Sequence, residues 1–380
     1  MQKNSKEMNK PFMYGQMVFG ENFTDRAQET ARLKSNLENG INTILISPRR
    51  IGKASLVNHV VGLLNKDIVA VMLDMYDCRD EYDFYNKFSV SVLKATSGSM
   101  DNLLQNITEF LGRMTPKISV NPDMVTDYSI SLGLSPKQVS AEEILNLPEK
   151  IAEKKNKHIV ICIDEFQQIG EFASSVQMQK VMRSVWQRQS RVSYCFFGSK
   201  KHMLENIFSN KRMPFYMFGE MMHLGKISTE DWVKYIRSRF VSGGKEISEE
   251  IAERICKTVD NYSSYVQQLS WNLYVITDKT ASEEGLAMAI EDMLNQNASF
   301  FTEQIKGLTS YQLNFLKALS SGVRDGFTSA EVIQGWHLGS KSNIATIKKA
   351  LTDKELIEEE GTETRLSDPI FDLWLRKTYL

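Results

Sequence analysis

The stretch Ile44–Val57, ILISPRRIGKASLV, reads as a strand, a turn and a helix. Its first half is apolar and β-branched, its centre holds Pro48 and Gly52, and its second half suits a helix. The spacing approaches the phosphate-loop pattern G-x-x-x-x-G-K-[ST]. Ser47 stands at the first Gly, Gly52 and Lys53 are in place, and Ala54 occupies the Ser/Thr position. A glycine-rich turn before a helix aims backbone N–H groups at phosphate oxygens, and the helix N-terminus adds partial positive charge. Lys53 would reach the outer phosphates, and Gly52 would permit close approach. The loop alone also reads as a plain strand-to-helix turn that contains Gly-Lys.

Working outward, four apolar runs alternate with helical stretches. They are TILIS (Thr43–Ser47), IVAVMLD (Ile68–Asp74), HIVICID (His158–Asp164) and VSYCFFG (Val192–Gly198). Continuous apolar runs fit strands covered on both faces, so the expected fold class is α/β with a parallel sheet. A helix is expected near Arg26–Glu38, before the first run. Between the second and third runs lies an insertion, roughly Glu81–Glu153. It reads as mostly helical, with a polar excursion over Thr115–Ser140.

The third run ends in Asp164 and Glu165, at the edge of the sheet where open α/β folds bind ligands. In phosphoryl-transfer proteins one such carboxylate holds magnesium and a second polarises the attacking water. An Asp-Glu pair that merely caps the next helix is the other reading. Ser199, just past the fourth run, would lie near a γ-phosphate or sit in a simple turn. Arg49 and Arg50 in the loop are candidates to brace neighbouring segments or a partner subunit, and Arg183, Arg188 and Arg191 precede the fourth strand, where a trans-acting arginine is often supplied. Each also fits a solvated surface charge.

Composition bounds the rest. The chain has 380 residues, room for two or three domains, with 42% hydrophobic and 24% charged residues. A formal net charge of −1 excludes a whole-protein basic footprint for nucleic acid, so such binding would need a local patch. The start, MQKNSKEMNKPF, lacks the apolar core of a signal peptide, and no run reaches the length of a membrane span. Cys78, Cys162, Cys195 and Cys256 show no metal-ligand spacing. The expected setting is a reducing cytoplasm.

From about Ser228 the sequence becomes helical, beginning STEDWVKYIRSRF and ending near Lys306. A third unit follows. TSYQLNFLKAL, TSAEVIQGW (capped by Thr328, with Glu331 at the capping-box position) and GSKSNIATIKKALTDKELI read as three helices. LIEEEGTETRLS reads as a hairpin turning at Gly361, completing a winged helix-turn-helix. The expected domains are therefore 1–227, 228–306 and 307–380. The third helix of the last domain carries Lys341, Lys348, Lys349 and Lys354, which suit DNA phosphates. The wing carries Glu358, Glu359, Glu360 and Glu363, which repel them and favour protein packing.

Together these pieces resemble a family of prokaryotic AAA-type ATP-binding proteins related to the STAND NTPases. The resemblance rests on SPRRIGKASL (Ser47–Leu56), on Phe23, Asp25, Arg26 and Glu29, and on DEFQ (Asp164–Gln167). Gly198-Ser199 and SDPIFDLWLR (Ser367–Arg376) complete it, so it spans nearly the whole chain. It implies a P-loop ATPase core, a helical lid and a C-terminal winged helix. ATP or ADP would be held by Ser47, Pro48, Arg49, Arg50, Ile51, Gly52, Lys53, Ala54 and Ser55, with Arg26 nearby. Asp164 would hold Mg2+, and Asp164, Glu165 and Ser199 would serve hydrolysis. Two departures stand out. Ala54 lacks the magnesium-ligating hydroxyl, for which Ser55, about 100° away around a helix, substitutes poorly. Ser264 occupies a lid position where the family tends to carry Pro. The expected role is a nucleotide-dependent switch with slow hydrolysis. The alternative is a nucleotide-binding pseudo-ATPase acting as a DNA- or protein-binding module, with self-association also open.

Overall fold

A computed structural model describes residues 11–18, 20–99, 140–380 and, between these, positions 102, 103, 105, 106, 109, 117–120 and 128–131. The chain groups into two compact units. One spans residues 26–225; the other combines residues 11–25 with 226–380.

The first unit is built on a parallel sheet. Its strands are β1 (Thr43–Ile46), β2 (Ile68–Asp74), β5 (His158–Asp164), β6 (Val192–Phe197) and β7 (Glu220–His223), after a separate antiparallel hairpin of β3 (Lys117–Val120) and β4 (Tyr128–Ser131). The order across the sheet is β2-β5-β6-β1-β7. The four apolar runs form four of these strands, as their composition predicts. The fifth, β7, went unread because EMMH is short and half polar. Asn42 ties the base of the sheet together: its side chain accepts from Tyr194 N–H and its carbonyl accepts from Glu220 N–H.

Alternation along β5 divides the core between the two faces of the sheet. Ile159, Ile161 and Ile163 face a cluster with Phe84, Phe88, Phe166, Trp186, Phe196 and Phe208. Trp186 stacks on Tyr194 at 4.3 Å between ring centroids. Val160 and Cys162, equally buried, face the other way. The helices Ala27–Glu38 and Lys53–Leu63 contribute buried Leu33, Leu37, Leu56, Val57 and Val60 to the unit. The expected helical insertion is helical at Glu81–Thr96, Ala141–Leu145 and Leu147–Lys155, but the β3–β4 hairpin lies within the stretch read as a polar excursion. The remainder of that excursion lies outside the described residues.

In the second unit the helices Thr229–Ser242, Glu249–Thr258, Ser263–Ile276 and Glu283–Lys306 precede a three-helix winged module. Residues 11–25, expected with the sheet, group here instead. Phe12 is buried with its ring against Tyr235, Phe240 and Tyr274, and Met13 N–H donates to Gln267. The winged module comprises the helices Ser310–Ser320, Ala330–Gly335 and Lys341–Asp353, then the hairpin β8 (Ile357–Glu360) and β9 (Glu363–Leu366), with Gly361 left-handed at φ 62°. Its second helix is capped by Ser329, which accepts from Val332 N–H, rather than by Thr328. The final helix, Pro369–Tyr379, packs Phe371 and Trp374 on Phe301. Tyr262 Oη donates to Ser367 O at 3.0 Å, and Tyr265 Oη donates to Asp368. No helix among the described residues is long and apolar enough to cross a membrane.

Candidate functional site

The loop between β1 and the helix Lys53–Leu63 folds around one ammonium group. Lys53 Nζ donates to Pro48 O (2.8 Å), Ser47 Oγ (3.1 Å) and Ser47 O (3.2 Å). Only 9% of Lys53 and 2% of Ser47 are exposed. Ser47 Oγ donates in turn to Pro48 O at 2.9 Å. Ser47 at the first-glycine position therefore supports the loop lysine. Arg50 and Gly52 both take left-handed backbone, at φ 65° and 96°. Gly52 is the N-cap of the helix, and among the described residues no side chain caps that end. A helix start with no side-chain cap, preceded by left-handed residues, has the backbone form of an anion cradle. Arg49 and Arg50 are exposed, whereas Ile51 is buried.

Arg26 reaches this loop from the start of the helix Ala27–Glu38. It is 4% exposed. Its guanidinium donates to Gly225 O at 2.7 Å and Ile51 O at 3.5 Å, and pairs with Glu29 at 2.9 Å.

At the carboxyl ends of the strands three carboxylates gather. Asp74 and Asp164 are register partners on β2 and β5, and Glu165 follows in left-handed backbone at φ 51°. Burial pushes the Asp164 carboxyl from its ordinary 3.8 to about 6. The charges of Glu165 and Asp74 push the same way. The Glu165 N–H, donating at 2.8 Å, and the Lys53 ammonium pull it back. That Lys53 acts on Asp164 brings the two sequence motifs into one electrostatic neighbourhood. Glu165 is held at its far oxygen, which accepts from Ser199 Oγ at 2.9 Å and from Gln167 Nε2. Gly198 makes this packing feasible. A Cβ there would lie 1.9 Å from Gln167 Oε1 and 3.2 Å from the Glu165 Cα.

Asp164, Glu165 and Ser199 thus converge, beside the Lys53 loop. Sequence reasoning passed over Asp74 and Gln167. Asp74 carried the same signal as Asp164, an acid ending an apolar run; Gln167 stood in the DEFQ motif with no role of its own. The candidate arginines behave differently from one another. Arg183 is a brace, donating to Pro214 O (3.0 Å) and Tyr216 O (2.8 Å) with its guanidinium over Phe218. Arg191 donates to Asn156 Oδ1 at 2.9 Å, and Arg188 is exposed. The cysteines are all buried. Burial pushes the thiols of Cys78 and Cys256 up to about 11 and about 12, as suits packing groups.

Comparison with known proteins bears on the fold. Residues 299–377 match a family model described as a probable winged helix domain. The Walker-type ATPase PABY2304 of Pyrococcus abyssi is similar over 96% of this chain and 99% of its own, with TM-score 0.70 and 16% identity. The ORC2 protein of Aeropyrum pernix, in ADPNP-ADP complexes, is similar over 97% of this chain and 96% of its own, with TM-score 0.58 and 14% identity. No curated protein matches the sequence. The fold is that of a P-loop ATPase ending in a winged helix. At these identities the likeness speaks for architecture alone.

Proposed function

We propose that the chain is an AAA-type, STAND-related nucleotide-binding protein working as a slow ATP-dependent switch, with residues 228–306 as lid and 307–380 as output module. The observation that carries this reading is the Lys53 loop set beside the Asp164–Glu165–Ser199 cluster at one edge of the sheet. ATP or ADP would lie with its phosphates on the loop Ser47–Ser55, the Lys53 ammonium turning from the carbonyls of Ser47 and Pro48 to the phosphate oxygens. Glu165 is the group to orient an attacking water, with Ser199 fixing its carboxylate.

The donor set suits Mg2+ only in part. Asp164 offers one carboxylate, and magnesium commonly takes one or two carboxylates with phosphates and waters. Ala54 offers nothing where a hydroxyl would stand. Bound there, the ion would neutralise phosphate charge. Binding is therefore favoured over turnover, because the amide cradle and Lys53 do not depend on the missing hydroxyl.

Two measurements test the proposal. ADP and ATP affinities, with and without magnesium, should be measurable in the parent and lost in Lys53→Ala. Absence of binding in the parent would remove the site. Ala54→Thr should raise turnover; one well-placed catalytic contact is worth about 10²–10³ in rate. No increase would leave the pseudo-ATPase reading in possession. For the winged module, Lys348 is paired with Glu359 at 2.7 Å and lies over Phe327, which favours a protein partner over DNA.

A further inference from the structure

At the amino ends of its strands the sheet unit carries a groove that the Lys53 loop does not use. Its volume is about 460 Å³, and Glu38, Lys66, Asp67, Lys157, His158 and Arg191 are among the residues that line it. That volume falls within the roughly 300–1,000 Å³ of small-molecule sites. The lining comes from the segments that enter β2, β5 and β6 and from the end of the helix Ala27–Glu38. The Lys53 loop and Asp164 lie at the carboxyl ends of the same sheet. Arg191 directly precedes β6 and Ser199 follows it, and a strand of that length spans about 20 Å. Arg191 therefore stands apart from Asp164, Glu165 and Ser199 of its own chain.

Charge is not balanced within this groove. Glu38 pairs with Lys34 at 2.7 Å and accepts the Asn65 N–H at 3.0 Å. Asp67 pairs with Lys157 at 2.7 Å. The Arg191 guanidinium donates to the neutral amide of Asn156 at 2.9 Å. Among the described residues neither that guanidinium nor the Lys66 ammonium is paired with a carboxylate, so two positive charges are left over. Burial lowers the pKa of His158, whose Nε2 donates to Leu37 O at 3.2 Å, and the ring adds no charge near pH 7. Cations are favoured at helix C-termini, which accounts for Lys154 and Lys155 in the last turn of the helix Leu147–Lys155. Lys66 and Arg191 lie outside every helix.

The segments that carry these cations are held in place. Glu149, 7% exposed, accepts from Ser190 N–H and Ser190 Oγ at 2.9 Å and from Arg191 N–H at 3.0 Å. Gln189 donates to Leu145 O at 3.0 Å and accepts from Tyr194 Oη at 2.6 Å. Ile68 N–H closes onto Asn65 O at 2.9 Å, which fixes the turn bearing Lys66. Supports that are already fixed lose less freedom when a ligand binds. We propose that this groove is a binding site for a small dianion, with Arg191 and Lys66 as its cationic anchors. A planar guanidinium holds phosphate or carboxylate oxygens in pairs, and an ammonium adds a point charge. A phosphate group and a dicarboxylate share this chemistry. The inference does not rest on the nucleotide reading, since none of these residues belongs to the loop.

Calorimetric titration of the full chain with inorganic phosphate and, separately, with succinate tests the site at about pH 8, where both are dianions. The two titrations also tell the phosphate source from the carboxylate source. At least one anion should bind the parent with millimolar or tighter affinity. The same anion should bind Lys53→Ala within about twofold of the parent, because that variant alters only the loop at the other end of the sheet. Arg191→Gln should weaken binding about tenfold or more, as expected for loss of a charge-assisted contact. Lys66→Gln changes an exposed side chain that the fold does not depend on, and should weaken binding about three- to tenfold. Lys66→Arg, which keeps the charge, should bind as the parent does. Absence of binding by both anions up to about 10 mM overturns the proposal. So does binding that disappears in Lys53→Ala, which places the anion on the loop, or binding unchanged by Lys66→Gln or by a folded Arg191→Gln.

Discussion

Replacing Asp164 by Asn should stabilise the sheet unit at high pH and leave it nearly unchanged in acid. The carboxyl is pushed from 3.8 to about 6, chiefly by burial. A group with a raised folded pKa holds its proton more tightly in the folded chain, so protonation favours folding. That contribution is complete below 3.8 and is lost as pH rises through 6. Keeping the carboxylate ionised in the folded chain at pH 8 therefore costs about 3 kcal/mol, which partial exposure trims to about 2–3. An amide of the same shape escapes the cost and still accepts the Glu165 N–H through its Oδ1. At pH 4 the difference falls to about 0.6 kcal/mol or less. The assay is native-state hydrogen exchange of the β5 amides Ile159–Ile163, variant against parent at each pH. Exchange in Asp164→Asn should be up to about 100-fold slower at pH 8 and within about threefold of the parent at pH 4. An equal effect at both pH values, or faster exchange at pH 8, would refute the assignment of a buried, destabilising carboxylate.

Three further outcomes follow from contacts already described. Gly198→Ala places a methyl on Gln167 and the Glu165 backbone, and should lower stability by about 1–3 kcal/mol in urea unfolding, with turnover falling further than nucleotide affinity. Ser199→Ala removes one of the two donors to the Glu165 oxygen that Gln167 also holds and should reduce any ATP turnover while leaving ADP affinity within about threefold, a split read by comparing kcat with Kd. Tyr265→Phe removes the hydroxyl that donates to Asp368 and should cost about 1 kcal/mol by chemical denaturation, with faster exchange at the start of the helix Pro369–Tyr379.

Much of the sheet was legible because buried parallel strands write themselves as unbroken apolar runs. TILI, IVAVMLD, HIVICID and VSYCFF all did so. The loop was legible because Gly52 and Lys53 are residue types whose chemistry is local. Asp164 could be placed for the same reason, as an acid ending such a run. What stayed hidden depended on distant partners. β7 is defined by pairing with β1 rather than by its own four residues. Arg183 looks like any surface arginine until the carbonyls of Pro214 and Tyr216 are seen around it. Arg26 could be named from its motif, yet its hold on Gly225, 199 positions later, has no sequence signature. The cap at Ser329 rather than Thr328 is a choice between neighbours of equal chemistry, decided by backbone geometry.

Phe12 sets a schedule for the newborn chain. It leaves the ribosome ahead of the whole sheet unit, but the rings that bury it, Tyr235, Phe240 and Tyr274, come more than 220 positions afterwards. At about 5–20 residues per second, roughly 13–50 s of synthesis separate Phe12 from Tyr274. Residues 26–225 can collapse on their own sheet in that interval while the arm waits, its aromatic end uncovered. A clone begun at Arg26 would shorten that wait to nothing and leave three rings without their lid of phenylalanine. Chaperone demand during translation, and the solubility of arm-deleted fragments, are where this tether would first be noticed.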